Sequence, residues 1–124
     1  MISRSLIASA AILCASSAFA AGSGKVAAGK EIFSRTCQNC HSTEVGVNKV
    51  GPTLWHIVGR KIASIPDYNY SPAMKDQIGD WTVAALDRYL ANPRGDKHGV
   101  KMFFKGLPKA KDRADVIAYL QTLK

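Results

Sequence analysis

Apolar side chains recur at helical spacing in three separated stretches of this chain, and no convincing two-residue alternation of a strand is present. Val26, Ala27, Gly29, Ile32 and Phe33, with Lys30 and Thr36 in register, predict a first amphipathic helix ending near Cys37. Gly29 within it permits close approach by another helix, at a propensity cost of ~1 kcal/mol relative to Ala. Leu86, Tyr89 and Leu90 share one face of a helix expected to start at Asp80 or Thr82 and to stop at Pro93. Val116, Ile117, Leu120 and Leu123 form the stripe of a last helix. Asp112 and Asp115 are placed in its first turn, where carboxylates favour the dipole. Ser71-Pro72 reads as an N-cap followed by Pro at the first helical position, opening a short helix through about Asp76. Residues 42–67 and 95–108 lack periodicity and read as loops, the first punctuated by Gly46, Gly51, Pro52, Gly59 and Pro66. The expected fold class is all-α, with long loops between its helices.

The amino terminus follows a different rule. Arg4 supplies a positive start, Leu6 to Leu13 a short apolar run, and Ala18-Phe19-Ala20 a small-residue cleavage site. The run is too short and too rich in Ala and Ser for a membrane span, which needs ~20 apolar residues. Residues 1–20 are therefore expected to be a cleaved secretory signal of bacterial type, and residues 21–124 one exported, periplasmic domain. Cys14 follows Leu13 rather than a small residue, so it is a poor lipid-attachment site, and it leaves with the signal; Cys37 and Cys40 remain.

Charge adds a second bound. The chain carries a net +8, and loss of Arg4 with the signal leaves +7. Such a balance suits an acidic protein, an anionic membrane surface or nucleic acid, and export argues against nucleic acid. A domain of this size buries only a little over ~60% of its unfolded surface. A buried apolar cofactor would supply core that the polypeptide lacks.

Cys37-Gln38-Asn39-Cys40-His41 points to such a cofactor. A Cys-x-x-Cys-His run is an attachment signature for c-type haem. On a helical turn, residues i and i+3 lie on one face, so both sulfurs can reach the vinyl groups of a single porphyrin. His41 is then directed at the iron as an axial ligand. Two other readings compete: a dithiol/disulfide redox pair, and half of a zinc site. The redox pair usually accompanies a βαβ pattern, absent here. Zinc needs further clustered ligands, and His56 and His98 stand alone.

Beyond the pentapeptide, the mature chain resembles the class I cytochromes c, in the branch of bacterial cytochrome c2 and the mitochondrial type. The resemblance runs through Gly51-Pro52-Thr53-Leu54, Gly59-Arg60-Lys61, Tyr70-Ser71, Trp81-Thr82, Tyr89-Leu90 and Asn92-Pro93. It continues through Gly99-Val100-Lys101-Met102-Phe103-Phe104, Gly106-Leu107 and Asp112 to Leu120. By residue type alone Met74, Met102, His56, His98 and Lys101 are all candidates for a second axial ligand. The resemblance implies Met102, whose thioether favours Fe(II) and raises the potential. It also implies that the Pro52 carbonyl orients His41, that Arg60, Tyr70 and Trp81 hold the haem propionates, and that Tyr89 hydrogen-bonds the ligating sulfur. It implies the class I fold of three main helices, short helices and long loops wrapped around one covalently attached haem c.

The function implied is single-electron shuttling by Fe(III)/Fe(II) cycling, as a monomeric carrier rather than an enzyme. Acidic redox proteins such as a membrane-bound reductase, an oxidase or a photosynthetic reaction centre are the expected partners. Lys49, Arg94, Lys97, Lys101, Lys105 and Lys109 are expected around the exposed haem edge. The rival is a haem enzyme or gas-binding sensor with a labile sixth ligand, and the chain lacks a polar His/Arg arrangement beside Met102 that would serve one. The chain departs from the family pattern at His56, where many relatives carry glycine, and at Met74 and Val100, which are often polar.

Overall fold

The computed structural model describes residues 24–124, so the signal expected at residues 1–20 lies outside the described residues. Its helices are α1 (Val26–Thr36), α2 (Pro72–Lys75), α3 (Val83–Ala91), α4 (Pro93–Asp96) and α5 (Ala110–Leu120). Among the described residues there is no strand, and one isolated bridge joins Lys61 to Asp80. None of these helices is long and apolar enough to cross a membrane.

The first and last helices cross at Gly29 of α1. A Cβ at Gly29 would run into the Asp115 backbone carbonyl and come within 3.0 Å of the Tyr119 Cβ. The glycine noted in the sequence is therefore the contact point, which offsets its propensity cost. Phe33 meets Tyr119 with ring centroids 5.3 Å apart. Ile32, Phe33, Val116, Ile117 and Leu120 join Leu86 and Tyr89 of α3, together with Ile57, Ile62 and Trp81 of the loops, in one core.

Caps largely follow the chain's own signals. Ser71 accepts the Met74 N–H through its hydroxyl, with Pro72 at the first helical position. Thr82, rather than Asp80, caps α3 by accepting from Ala85 at 3.1 Å. Two details differ from expectation. Pro93 ends α3 but also opens α4, because Asn92 accepts the Gly95 N–H at 3.1 Å and Pro93 has the φ that a first helical residue needs. Asp115 is not in the first turn of α5, which holds Asp112. It lies deeper, only 2% exposed, and its carboxylate accepts the backbone N–H of Lys25 at 2.8 Å and a bond from Lys111 at 2.5 Å. It thus caps the partner helix α1, whose own N-cap residue supplies no side-chain bond.

The loops are tied rather than loose. Gly59 N–H donates to Trp81 O and Trp81 N–H to Arg60 O, both at 2.8 Å, and Ile62 N–H donates to Gly79 O at 3.0 Å. The loop after α4 is anchored by Leu107 N–H to Leu90 O at 2.7 Å and by Arg113 Nη1 to Leu107 O at 2.9 Å. These bonds fix the two segments that carry the candidate site.

Candidate functional site

Helix α1 delivers the cysteine motif. Cys37 is its C-cap, and the chain keeps turning beyond it, with Cys40 N–H and His41 N–H both donating to Cys37 O at 3.1 and 3.0 Å. That turn is the i, i+3 arrangement needed to present two sulfurs to one edge of a planar ligand. Cys37 is half-buried and Cys40 exposed, and both thiols are free. Burial, and then the neighbouring Cys40, push the Cys37 thiol up to about 11. A dithiol oxidoreductase needs the opposite, a thiolate stabilised near neutral pH.

His41 is held in one orientation. Its Nδ1 lies 2.7 Å from Pro52 O. A carbonyl can only accept, so Nδ1 carries the proton and Nε2 presents a lone pair. Burial lowers the His41 pKa, the Pro52 bond opposes this, and the charges of Arg60 and Lys49 lower it further. The ring is a neutral donor, as an iron ligand must be. Gly51, itself buried, lies against the ring: a Cβ there would overlap it, within 2.7 Å of Nδ1 and 2.8 Å of Nε2.

Met102 lies in the loop between α4 and α5, half-buried against the core, with Lys101 beside it donating from Nζ to Asn69 O at 2.7 Å. Met74 on α2 is also half-buried against the core, so burial alone does not separate the two sulfurs. His56 and His98 are exposed. His56 sits in a turn at φ 54°, the left-handed region that favours glycine, with its N–H on Leu123 O at 2.6 Å. This is the physical reason for a glycine-like position in the sequence. Among the described residues, no three His, Cys, Asp or Glu side chains gather as a metal cluster.

The remaining predicted residues converge from distant parts of the chain. Trp81 is buried and paired to Arg60 through the backbone, and its ring lies 5.0 Å from that of Tyr89. Arg60 donates from Nη1 to Trp55 O at 2.7 Å, while its Nε is buried without a hydrogen-bond partner. A buried, unpaired guanidinium N–H is costly, and a propionate is the kind of acceptor that would satisfy it. Tyr70 accepts the Ile65 N–H at 3.1 Å and meets Tyr68 edge-on at 4.8 Å. The donor set thus fits a haem: two thiols on one turn, a neutral imidazole with a free lone pair, a half-buried thioether and an unsatisfied cation.

Three participants were not legible in the sequence. Tyr68 ties its loop to the Pro52 segment by donating to Val50 O at 2.8 Å. Lys97, expected on the docking surface, is instead buried at 7% exposure beside Asp96. Phe103, next to Met102, is 93% exposed with the Arg94 guanidinium over its ring at 4.7 Å. Their positions depend on loop paths that carry no periodicity.

Comparison with known proteins agrees with this geometry. Residues 26–124 match the family model described as Cytochrome c. A cytochrome c2 of Rhodomicrobium vannielii is 44% identical over 116 residues, covering 91% of this chain and 89% of the relative. The cytochrome c-type cyt cy of Rhodobacter capsulatus is 49% identical over 100 residues, 81% of this chain; the match spans only 50% of that relative's length. Among solved structures, cytochrome cH from Methylobacterium extorquens superposes with a TM-score of 0.74 at 39% identity, covering 80% of this chain and 99% of that one.

Proposed function

The chain belongs to the cytochrome c family, in its class I all-α branch with one covalently attached haem c, and from that premise we propose that it is a periplasmic electron carrier with His41 and Met102 as the axial ligands. The observation that carries the reading is the His41 Nδ1 to Pro52 O bond of 2.7 Å at the end of the Cys37–Cys40 turn, which leaves Nε2 as the donor. Bound haem supplies a one-electron Fe(III)/Fe(II) couple.

The chain's residues do the rest. Cys37 and Cys40 fix the group covalently, and Pro52 and Gly51 set the ring plane of His41. Met102 would supply the second iron ligand and leave no coordination site open for substrate, which favours a carrier over an enzyme. Arg60, Tyr70 and Trp81 would hold the propionates, and Tyr89 would hydrogen-bond the ligating sulfur. Residues 1–20 direct export and are removed, leaving 21–124 as the mature domain. A monomer with a basic surface then docks transiently on an acidic partner, whether a membrane-bound reductase, an oxidase or a photosynthetic reaction centre.

The test is made on periplasmic protein. Its mass should exceed that of residues 21–124 by one haem, and acid-acetone should leave the pigment on the chain. The oxidised form should show the weak near-infrared band of Fe(III)–thioether ligation. Met102→Ala should lose that band and admit carbon monoxide, whereas Met74→Leu should keep it. Ready carbon monoxide binding by the wild type at neutral pH would transfer the reading to a sensor or haem enzyme.

A further inference from the structure

A lysine is buried where the fold has no evident use for its charge. Lys97 follows α4 with its side chain only 6% exposed, and its Nζ lies 3.0 Å from Asp96 Oδ2, itself 10% exposed. Arg88 of α3 reaches the other oxygen, Oδ1, at 2.8 Å, but from a side chain 63% exposed. On its other side the Lys97 ammonium lies 5.6 Å from the Trp81 ring centroid and 5.8 Å from that of Tyr89. Those rings are themselves in contact and belong to the candidate site.

Burying an ammonium carries a desolvation penalty of several kcal/mol, and an apolar residue of similar size is often as stable or better. Surface docking does not explain the charge, because the group is not at the surface. Nor is it simply neutralised: one carboxylate is shared between Lys97 and Arg88, so two cationic side chains face a single anion. The Lys97–Asp96 pair lies directly against the site, since the Lys97 ammonium faces both the Trp81 and the Tyr89 rings. Burial would raise the Asp96 carboxyl, but the Lys97 ammonium, an ion-pair contact to Oδ2 without hydrogen-bond geometry, and the bond from Arg88 to Oδ1 hold it below its usual range, so it is ionised at neutral pH.

We propose that Lys97 sets the reduction potential of the bound haem, as a buried cation on the Trp81–Tyr89 wall that disfavours the ferric charge, with Asp96 as the opposing and moderating charge. The inference rests on the haem-carrier reading. A charge buried beside a low-dielectric site acts at longer range than one in water, and bulk salt screens it little. The two charges must therefore shift the potential in opposite directions, which loosened packing cannot do: added solvent exposure would move both variants the same way.

Spectroelectrochemical titration of holoprotein at pH 7, in low salt and at about 1 M salt, tests this with Lys97→Met, Lys97→Arg and Asp96→Asn. Lys97→Met should make the haem harder to reduce, by about threefold to tenfold in the equilibrium constant against a one-electron mediator, tenfold being 59 mV. Asp96→Asn should make it easier to reduce by a similar factor, and Lys97→Arg should restore the wild-type value. The shifts should persist in high salt. Same-direction shifts in Lys97→Met and Asp96→Asn, or shifts that vanish in high salt, would overturn the proposal. If Lys97→Met fails to yield holoprotein, Lys97→Arg and Asp96→Asn decide alone: an unchanged potential in Asp96→Asn overturns it. A chain that carries no covalent haem would instead refute the carrier reading itself.

Discussion

Replacing Gly51 by Ala tests whether the His41 ring is seated by sterics as well as by its hydrogen bond. A Cβ at this position would sit 2.7 Å from Nδ1 and 2.8 Å from Nε2, and closer still to the ring carbon between them. Ordinary contact begins near about 3.5 Å, so the ring or the Gly51 backbone must give way by more than roughly 1 Å. The backbone is not free to move, since Gly51 N–H donates to Cys40 O at 2.7 Å and its carbonyl accepts from Lys49 at 3.0 Å. The ring must yield, and with it the 2.7 Å bond to Pro52. Overpacking costs about 1–3 kcal/mol and the lost hydrogen bond about 1 kcal/mol, giving a destabilisation of roughly 2–4 kcal/mol. Guanidinium unfolding of the holoprotein measures it, and the proton resonance of His41 Nδ1 reports the bond directly. Gly46→Ala is the comparison. Gly46 has φ 71° and open space around it, so Ala there should cost about 1 kcal/mol in backbone strain and leave the His41 signal untouched. A Gly51→Ala protein within ~0.5 kcal/mol of wild type, within the scatter of an ordinary surface change, and with that resonance unshifted, would refute the reasoning.

Other outcomes follow from the same geometry. The Asp115 carboxyl is held below its usual range by Lys111, then by the Lys25 N–H. Its stabilising effect should be complete above the unfolded value of ~3.9 and be lost as pH falls through the lower folded value; in Asp115→Asn that part of the acid-unfolding curve should flatten. His56→Gly relieves a positive φ of 54° and should leave stability unchanged or raise it by up to ~1 kcal/mol, strain relief being offset by unfolded-chain entropy. Lys101, Lys105 and Lys124 are all exposed. Charge reversal at Lys101 or Lys105 should slow electron transfer to an acidic partner more than reversal at Lys124. The difference should shrink as the Debye length falls from ~30 Å at 0.01 M to ~10 Å at 0.1 M salt, and equal rates for all three in a stopped-flow salt series would mean that the charge serves solubility alone.

What the linear sequence determined was local. The α1 and α5 stripes, the Ser71-Pro72 start, and the spacing of Cys37, Cys40 and His41 were all readable, because each depends on neighbours within one or two helical turns. Gly29 was readable as a close-approach position because a missing side chain has few other uses in a helix. Tertiary structure decided everything that required two distant segments to meet. Asp115 has the sequence context of a helix-start residue, yet it caps another helix 90 positions away. Pro93 has the sequence context of a stop, although Asn92 lets it start α4 as well. Lys97 has the composition of a surface charge, and only the path of the loop from α4 carries it under Trp81 and Tyr89. Aperiodic loops bear no record of which face is inward, because their burial is set by the long-range bonds that pin them. The haem motif lies in a turn and could be read directly, whereas the polar and charged wall around it is assembled from loops and exists only once the chain has folded.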